Sequence, residues 1–234
     1  MFHFKKFSID DSSAAMKIGT DAVLLGAWTS SSNETRILDI GTGSGILALM
    51  MAQRNHKTEI DAIEIEPDAA ELARKNVQLS PWSDQIHVFS SSIQDFSVTT
   101  NNKYSLVISN PPFFTDSLKA PGKARNMARH NDTLPVRDLL KITSELLTVG
   151  GKAAFIFPAD AFKNWTTDAS NFFLFPANII WVKSSCAHRP HRVMVIFTNE
   201  DNQAISDTEL NIYSSKGVYT TEYRELTKEF YLNF

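Results

Sequence analysis

A glycine-rich segment, residues 36–45, constrains the fold of this chain more than any other. It reads Arg-Ile-Leu-Asp-Ile-Gly-Thr-Gly-Ser-Gly, and a helical pattern of apolar residues follows over 46–52. A short apolar run that breaks into alternating glycines predicts a strand, a tight turn and a helix start. Glycine permits positive φ and a close approach of the backbone to a ligand, and the first N–H groups of the helix face the same crevice. The segment therefore predicts a site for a nucleotide-like ligand at Gly41, Gly43 and Gly45.

Two acidic residues accompany this loop. Asp39 lies inside the motif, and Glu64 ends a second predicted strand over 59–64, 19 residues after Gly45. At an interval of about 20 residues, an acid accepts hydrogen bonds from ribose hydroxyls in nucleotide-binding βαβ units. Glu66 is a competitor that we assign to solvent near the start of a helix over 68–79. The spacing resembles motif I of S-adenosylmethionine-dependent methyltransferases, although a plain tight turn gives the same pattern.

Length and composition favour one α/β domain. The chain has 234 residues, of which 43% are hydrophobic, enough for one large domain over residues 1–234 with a well-buried core. The net charge of −3 requires any anionic partner to meet a local basic patch. Cys186 is the single cysteine, so we expect a buried or half-buried thiol and no disulfide. The first residues are too polar for a signal peptide, which favours a cytoplasmic protein with no membrane partner.

The segment before the glycine loop, residues 1–35, has two interpretations. It predicts a short extended piece, a turn and an apolar helix over 22–28. Thr20 or Asp21 can cap that helix by accepting its first N–H groups. Alternatively the segment packs near the crevice beside the glycine loop, which makes Lys17 and Thr20 candidate ligand-binding residues. The sequence does not choose between them.

The second informative pattern is a strand over 104–109 followed by Asn110, Pro111, Pro112 and Phe113. This loop is rigid, because each of the two prolines has a fixed φ and restricts the backbone of the residue before it. The Asn110 side-chain carbonyl and a proline carbonyl can both accept hydrogens from one planar amino group, while Phe113 can stack on the ring that carries it. Such a pocket suits a weakly nucleophilic amine, because positioning and electrostatics suffice for its reaction. The alternative is a stiff turn that ends a strand.

These motifs resemble the amino-methyltransferases of the Asn-Pro-Pro-Tyr/Phe type, which methylate adenine N6, cytosine N4 or glutamine amide nitrogen. Residues 4–7, 16–28, 110–114 and 219–231 together resemble the bacterial tRNA1(Val) adenine-37 N6-methyltransferase family, and the resemblance covers nearly the whole chain. It implies S-adenosylmethionine as cofactor and the anticodon loop of tRNA1(Val) as substrate, with methyl transfer to N6 of adenine 37.

The resemblance also assigns roles. Asp39, the three glycines, Glu64 and Asn110 take the cofactor and amine roles described above. Cofactor adenine is expected to meet the residues after a third strand over 85–89. Where the family commonly has an acid this chain has Ser92, followed by Ile93 and Asp95. Whether Ser92 or Asp95 contacts the adenine amino group is left open.

Candidate RNA contacts are basic residues outside these motifs. They are Lys5, Lys6, Lys119, Lys123, Arg125, Arg129 and His130. The stretch His188-Arg189-Pro190-His191-Arg192 predicts a basic turn between two strands that can add to this patch; with no third ligand nearby, we do not expect a metal there.

The alternation of strands and helices, with late strands over 152–157, 177–182 and 193–197, predicts a Rossmann-like α/β fold. We expect a mainly parallel, doubly wound sheet of seven strands with an antiparallel final strand.

The competing functions are an N5-glutamine protein methyltransferase, which typically carries a helical recognition region before motif I, and a cofactor- or RNA-binding module without catalysis. DNA methylation is disfavoured because no inserted target-recognition region is present. A dehydrogenase is disfavoured because Ile46 replaces the third glycine of the dinucleotide motif.

Overall fold

The computed structural model describes residues 1–12, 17–31, 34–55, 57–112, 134–201 and 204–234. Its elements in chain order are β1 (Phe2–His3), β2 (Ser8–Ile9), α1 (Thr20–Trp28), β3 (Arg36–Ile40), α2 (Ile46–Arg54), β4 (Glu59–Glu64), α3 (Pro67–Gln78), β5 (Ile86–Ser90), α4 (Ile93–Thr99), β6 (Tyr104–Ser109), α5 (Val136–Leu146), β7 (Leu147–Pro158), a 3₁₀ turn (Ala159–Ala161), α6 (Phe162–Ser170), β8 (Phe175–Lys183), β9 (Arg192–Thr198), β10 (Ser206–Asn211), β11 (Tyr213–Ser215), β12 (Val218–Tyr219) and α7 (Thr221–Thr227).

The central sheet confirms the predicted fold class. Its strand order is β10-β8-β9-β7-β6-β3-β4-β5. Strands β3 to β7 are parallel, and β9 is antiparallel to both β7 and β8. Within the described residues the sheet has eight strands instead of seven, because β10 pairs in parallel with β8 at one edge. This strand has the sequence SDTELN and buries only Leu210, so it lacks the apolar alternation that reveals a strand.

Helices cover both faces of the sheet, as a doubly wound topology requires. One face packs apolar side chains of α1, α2 and α7 against the sheet, whereas the other packs those of α4, α5 and α6. The central strands β3 and β6 are buried on both faces, which explains their continuous apolar runs. Helix α3 begins at Pro67, whose fixed φ and missing N–H suit the first helical position.

The two ends of the described chain meet beside α2. Phe4 forms a β-bridge with Tyr231, and the Lys5 amide donates to the Phe230 carbonyl. The Lys5 ammonium donates to the carbonyl oxygens of Lys228 and Phe234 at 2.6 and 2.7 Å. The carboxy-terminal residues are therefore held against the β1–β2 hairpin.

Several local expectations need correction. Helix α1 has Gly19 at its N-cap with no side-chain hydrogen bond, so neither Thr20 nor Asp21 caps it; Asp21 instead pairs with Arg192 at 2.7 Å. Cys186 is exposed, because it lies in the turn after β8 and outside both cores. No helix in the described ranges is both long and apolar enough to cross a membrane.

Candidate active site

The candidate residues converge on one edge of the sheet, which we call the carboxyl edge because the parallel strands β3 to β7 end there. Asp39 of β3 is in register with Ala62 of β4 and with Ile108 of β6. Glu64 is in register with Ser90 at the end of β5. The glycine loop, Glu64, the start of α4 and the Asn110 loop therefore follow neighbouring strand ends, as predicted from their order in sequence.

The glycine loop is fixed by β4. Gly41, Gly43 and Gly45 have φ values of 71°, 57° and 88°. The Gly41 and Thr42 amides both donate to the Ile63 carbonyl, at 2.8 and 3.0 Å. A Cβ built on Gly41 or Gly43 meets no atom within 4 Å. The loop thus has a left-handed backbone that favours glycine, and it borders open space where a ligand can approach.

Asp39 lies beneath this loop with none of its surface exposed. Its Oδ2 accepts hydrogen bonds from the Thr42 hydroxyl at 2.6 Å and the Ala48 amide at 3.1 Å. Its Oδ1 is buried and has no hydrogen-bond partner among the described residues. Burial raises the Asp39 pKa to about 7, the two hydrogen bonds oppose that shift, and the negative charge of Glu64 adds to it. A buried acceptor of this kind requires a donor, and a cationic group of a ligand would supply one.

Glu64 ends β4 with both carboxylate oxygens engaged. Oε2 accepts from the Gly43 amide at 2.9 Å, and Oε1 accepts from the Glu66 amide at 3.0 Å. Glu64 is 8% exposed, whereas Glu66 is exposed at the N-cap of α3 and makes no side-chain cap. Each Glu64 oxygen keeps a second lone pair, so the carboxylate can still accept from two hydroxyl groups. The geometry favours Glu64 over Glu66, as the spacing did.

Ser92 and Asp95 form a capping pair at the start of α4. The Ser92 hydroxyl accepts from the Asp95 amide at 3.0 Å and donates to Asp95 Oδ2 at 2.7 Å. Ile93 is buried behind them. Both polar side chains thus lie on the carboxyl edge, and the sequence-level choice between them stays open.

The strand before Asn110 is tied to the strand before the glycine loop. The Ser109 hydroxyl donates to the Ile40 carbonyl at 2.7 Å, joining the last residues of β6 and β3. Asn110 and Pro111 are half-buried, and Pro112 is exposed. The bond places Asn110 beside Gly41. Phe113 and the RNA candidates Lys119, Lys123, Arg125, Arg129 and His130 lie outside the described residues.

Of the remaining described candidates, Lys5 and Lys6 do not reach this edge. The Lys17 ammonium donates to the carbonyl oxygens of Asp11 and Ser12, at 2.6 and 2.9 Å, and Thr20 opens α1. Lys5 binds the chain end. Lys6 lines a shallow depression with Pro81, Trp82, Asp84 and Gln85, in the loop that precedes β5. Lys5 and Lys6 therefore lie away from Asn110.

Asn76 is a buried residue next to the site that the sequence analysis did not single out. It is 1% exposed on α3, and its side chain exchanges two hydrogen bonds with the Asp10 backbone, at 2.8 and 2.9 Å. The same Nδ2 also donates to the Ser44 carbonyl at 2.9 Å. Asn76 thus connects the amino-terminal segment to the glycine loop. Its sequence signal is a polar residue beside Val77, on the buried face of a helix that also contains Ala73.

The fold and the site define a class I S-adenosylmethionine-dependent methyltransferase. The sheet is doubly wound, a glycine loop follows its first long strand, an acid ends the next strand, and Asn-Pro-Pro lies at the same edge. Residues 12–154 match the methyltransferase small domain family. The chain is 40% identical over 233 residues to a tRNA1(Val) (adenine(37)-N6)-methyltransferase of Flavobacterium johnsoniae, covering 99% of both chains. It is 43% identical over 232 residues to the enzyme of the same name from Phocaeicola vulgatus, covering 99% of this chain and 97% of the relative. The chain belongs to the family of these relatives.

A solved structure supports the fold assignment independently. A predicted O-methyltransferase from Agrobacterium tumefaciens superposes with a TM-score of 0.70 at 17% identity, covering 90% of this chain and 96% of that one. In the described ranges no group of three His, Cys, Asp or Glu side chains is placed to hold a metal ion.

Proposed function

We propose that this enzyme transfers the methyl group of S-adenosylmethionine to N6 of adenine 37 in the anticodon loop of tRNA1(Val). The observation that carries the proposal is Asn110, followed by two prolines, at the strand end next to the glycine loop. The names of the relatives, which match this chain over nearly its full length, specify tRNA1(Val) as the RNA and adenine 37 as the methylated position. When bound, the cofactor supplies an electrophilic methyl group on a sulfonium centre.

The acidic residues around the glycine loop are proposed to hold the cofactor. The unpartnered Asp39 Oδ1 accepts from the ammonium of its methionine part, and Glu64 accepts from the ribose hydroxyls. The backbone at Gly41, Gly43 and Gly45 allows close approach. Ser92, Ile93 and Asp95 border the adenine, and Lys17 and Thr20 border the crevice from the amino-terminal side.

The Asn110 loop is proposed to hold the substrate amine. The Asn110 side-chain oxygen and the Pro111 carbonyl each accept one hydrogen of the N6 amino group, and Phe113 stacks on the base. These bonds raise electron density on nitrogen and strengthen as N6 becomes positive. Pro112 contributes stiffness, because a proline restricts the backbone of the residue before it. The new N–C bond would form as the S–C bond of the cofactor breaks and leaves a neutral thioether, and the positively charged N6 would then release one proton to water. No strong general base is required for the attack.

The whole chain, residues 1–234, is proposed to act as one methyltransferase domain in the cytoplasm, with residues 1–35 packed near the cofactor crevice. The Asn76 bonds to Asp10 and Ser44 support that placement. The proposed substrate is RNA and not DNA. The proposed RNA contacts that follow the Asn110 loop in sequence are Lys119, Lys123, Arg125, Arg129 and His130, whereas Lys5 and Lys6 lie away from Asn110.

The test is methylation of an unmodified tRNA1(Val) transcript with labelled S-adenosylmethionine. We expect one N6-methyladenosine per transcript, located at position 37 by nuclease mapping. The matched control is a transcript with guanosine at position 37, which should accept no label. Label in the control at equal yield would reject the position, and no label in either RNA would reject the proposed function.

A further inference from the structure

The carboxyl edge continues past the Asn110 loop into a second group of loops. Lys183, the last residue of β8, is in register with Asn211 of β10, and Arg192 of β9 is in register with Pro158 of β7. The Ile212 and Tyr213 amides donate to the Lys183 and Ser184 carbonyls, both at 2.9 Å. The β8–β9 turn (184–191) and the β11–β12 hairpin are therefore neighbours on the edge that carries Asn110.

Two basic side chains at the tips of these loops have no partner in the part of the chain that the structure describes. Lys183 is paired with Glu209 at 2.6 Å, and Arg192 is paired with Asp21 at 2.7 Å. Arg189 and Lys216 are exposed and form no side-chain hydrogen bond or ion pair with another described residue. Asp160 and Glu222 lie on flanking elements. Among the described residues, the unpaired Lys and Arg side chains of this surface are thus the two at the loop tips, which we call the basic tips.

Both tips are held by well-anchored backbone. The His191 amide donates to the Val182 carbonyl at 3.0 Å, and Pro190 stiffens the turn between them. In the hairpin, the Tyr213 ring stacks on Tyr219 at 4.9 Å, and Tyr219 stacks on the buried Tyr223 at 4.8 Å. Anchored cations lose little backbone freedom on binding, so they can bind a partner at low entropic cost.

The position of the tips relative to Asn110 fits an RNA backbone. In the sheet order, β9 lies two strands from β6. Strands are spaced about 4.8 Å apart, so the start of β9 lies on the order of 10 Å from the end of β6. The β11–β12 hairpin follows β10, which is four strands from β6, so the hairpin lies on the order of 20 Å away. An RNA strand whose adenine lies at Asn110 therefore brings a neighbouring phosphate to the β8–β9 turn and a phosphate a few nucleotides further along to the hairpin. On a chain of net charge −3, local cations at such a place are what phosphate binding requires.

We infer that Arg189 and Lys216 contact backbone phosphates of the RNA substrate while its adenine lies at Asn110. The inference rests on the proposed function, whose substrate it locates on the protein surface. It assigns RNA contact to the β8–β9 turn and the β11–β12 hairpin, and not to Lys5 or Lys6, which the fold carries away from Asn110.

The test compares two double variants that each remove two charges. R189Q/K216Q neutralises the basic tips. K57Q/K152Q neutralises two exposed lysines towards the opposite edge, which have no side-chain partner among the described residues. Lys57 precedes β4, and Lys152 of β7 is in register with Leu106 near the start of β6. The affinity for the tRNA1(Val) transcript is measured from 50 to 200 mM salt. We expect the slope of log affinity against log salt to fall by about one per lost phosphate contact in R189Q/K216Q, with roughly tenfold or greater weakening. K57Q/K152Q should keep the wild-type slope.

Conservative substitution refines the result. R189K/K216R keeps both charges and should keep the slope, whereas loss of binding in this variant would indicate a shape-specific contact instead of a phosphate contact. An unchanged slope in R189Q/K216Q, or equal changes in both double variants, overturns the inference. Wild-type protein that binds the transcript but methylates nothing rejects the proposed function alone, because the slopes still decide where RNA binds. Wild-type protein that binds no RNA rejects both.

Discussion

The two halves of the carboxyl edge differ in charge and in burial. On one side of the Asn110 loop, the ends of β3 and β4 carry Asp39 and Glu64, both buried and both bonded to backbone amides. On the other side, the loops after β8 and β11 carry Arg189 and Lys216, both exposed and without a described side-chain partner. The acidic half therefore has buried carboxylates in fixed positions, whereas the basic half has exposed cations on the protein surface.

This difference matches two ligands of opposite charge. A small cationic cofactor gains most from a few fixed acceptors in a site of low dielectric constant, where charge is weakly screened. A long polyanion gains from separated, accessible cations, and that gain depends on salt. The Asn110 loop lies between the halves because β6 lies between β3 and β7. The comparison predicts that changes to each half affect one ligand only, and that changes to the loop affect neither.

The largest effect should follow from Asn110→Ala. If the Asn110 oxygen accepts a hydrogen of the amine as nitrogen attacks, its removal acts on the transition state more than on binding. By analogy with the loss of one preorganised transition-state hydrogen bond, turnover should fall by about 10²–10³-fold. Single-turnover methylation, together with separate cofactor and tRNA affinities that remain near wild type, checks this expectation.

The matched control is Asn101→Ala, since Asn101 is exposed before the amino end of the same strand. It should methylate at the wild-type rate. Wild-type turnover in Asn110→Ala would show that the Asn110 loop is a structural turn with no role in catalysis.

The next effect concerns the acidic half alone. Glu64→Ala should weaken the binding of S-adenosylmethionine by about 1.5–3 kcal/mol, or roughly 10–150-fold, because the ribose hydroxyls lose a charged acceptor. Isothermal calorimetry measures the cofactor affinity, and filter binding should find the tRNA affinity unchanged. Glu66→Ala is the matched control, because its carboxylate is exposed two residues later. If the control weakens the cofactor instead, the ribose acid is Glu66.

A smaller effect should appear as a pH dependence of cofactor binding. Burial raises the Asp39 pKa to about 7, so without cofactor the carboxyl is protonated below that pH. An ammonium ligand binds the carboxylate, so cofactor affinity should rise with pH up to about 7 and then level off. The expected difference between pH 6.0 and pH 7.3 is about sevenfold, since the ionised fraction of a group with a pKa of about 7 rises from roughly 9% to roughly 67% over that range. Measuring below pH 7.5 avoids the titration of α-amino groups near 7.7–8.0. A flat profile in wild type, equal to that of Asp39→Asn, would remove Asp39 from the cofactor site.

The sequence predicted the parts of the fold that depend on local pattern. The strand–glycine–helix unit, the acid that ends β4 and the strand before Asn110 all follow from short-range periodicity and turn chemistry. Strand β10 was missed because it is polar and pairs only at the sheet edge. The Thr20 cap was wrong because Gly19 takes that position.

Contacts between distant residues could not be predicted in this way. Asn76 bonds to Asp10 across 66 positions, and Arg192 pairs with Asp21 across 171. Such pairs depend on tertiary packing, which leaves no periodic signal in one sequence. The same limit explains why the sequence grouped Lys5 with the RNA candidates from charge alone.

The smallest predicted effect tests that grouping. The Lys5 ammonium donates to the Lys228 and Phe234 carbonyls, so Lys5→Gln should loosen the carboxy-terminal residues. Loss of these exposed charge-assisted bonds should cost about 1 kcal/mol, which corresponds to a melting temperature lower by about 2–4 °C in a chain of this size. Because Lys5 lies away from Asn110, the salt dependence of tRNA binding should not change. Lys6→Gln is the matched control, since it removes the same charge from the adjacent residue, whose side chain bonds to no other described residue. A lower salt slope in Lys5→Gln at an unchanged melting temperature would show that Lys5 contacts RNA. The RNA-binding surface would then extend beyond the basic half of the carboxyl edge.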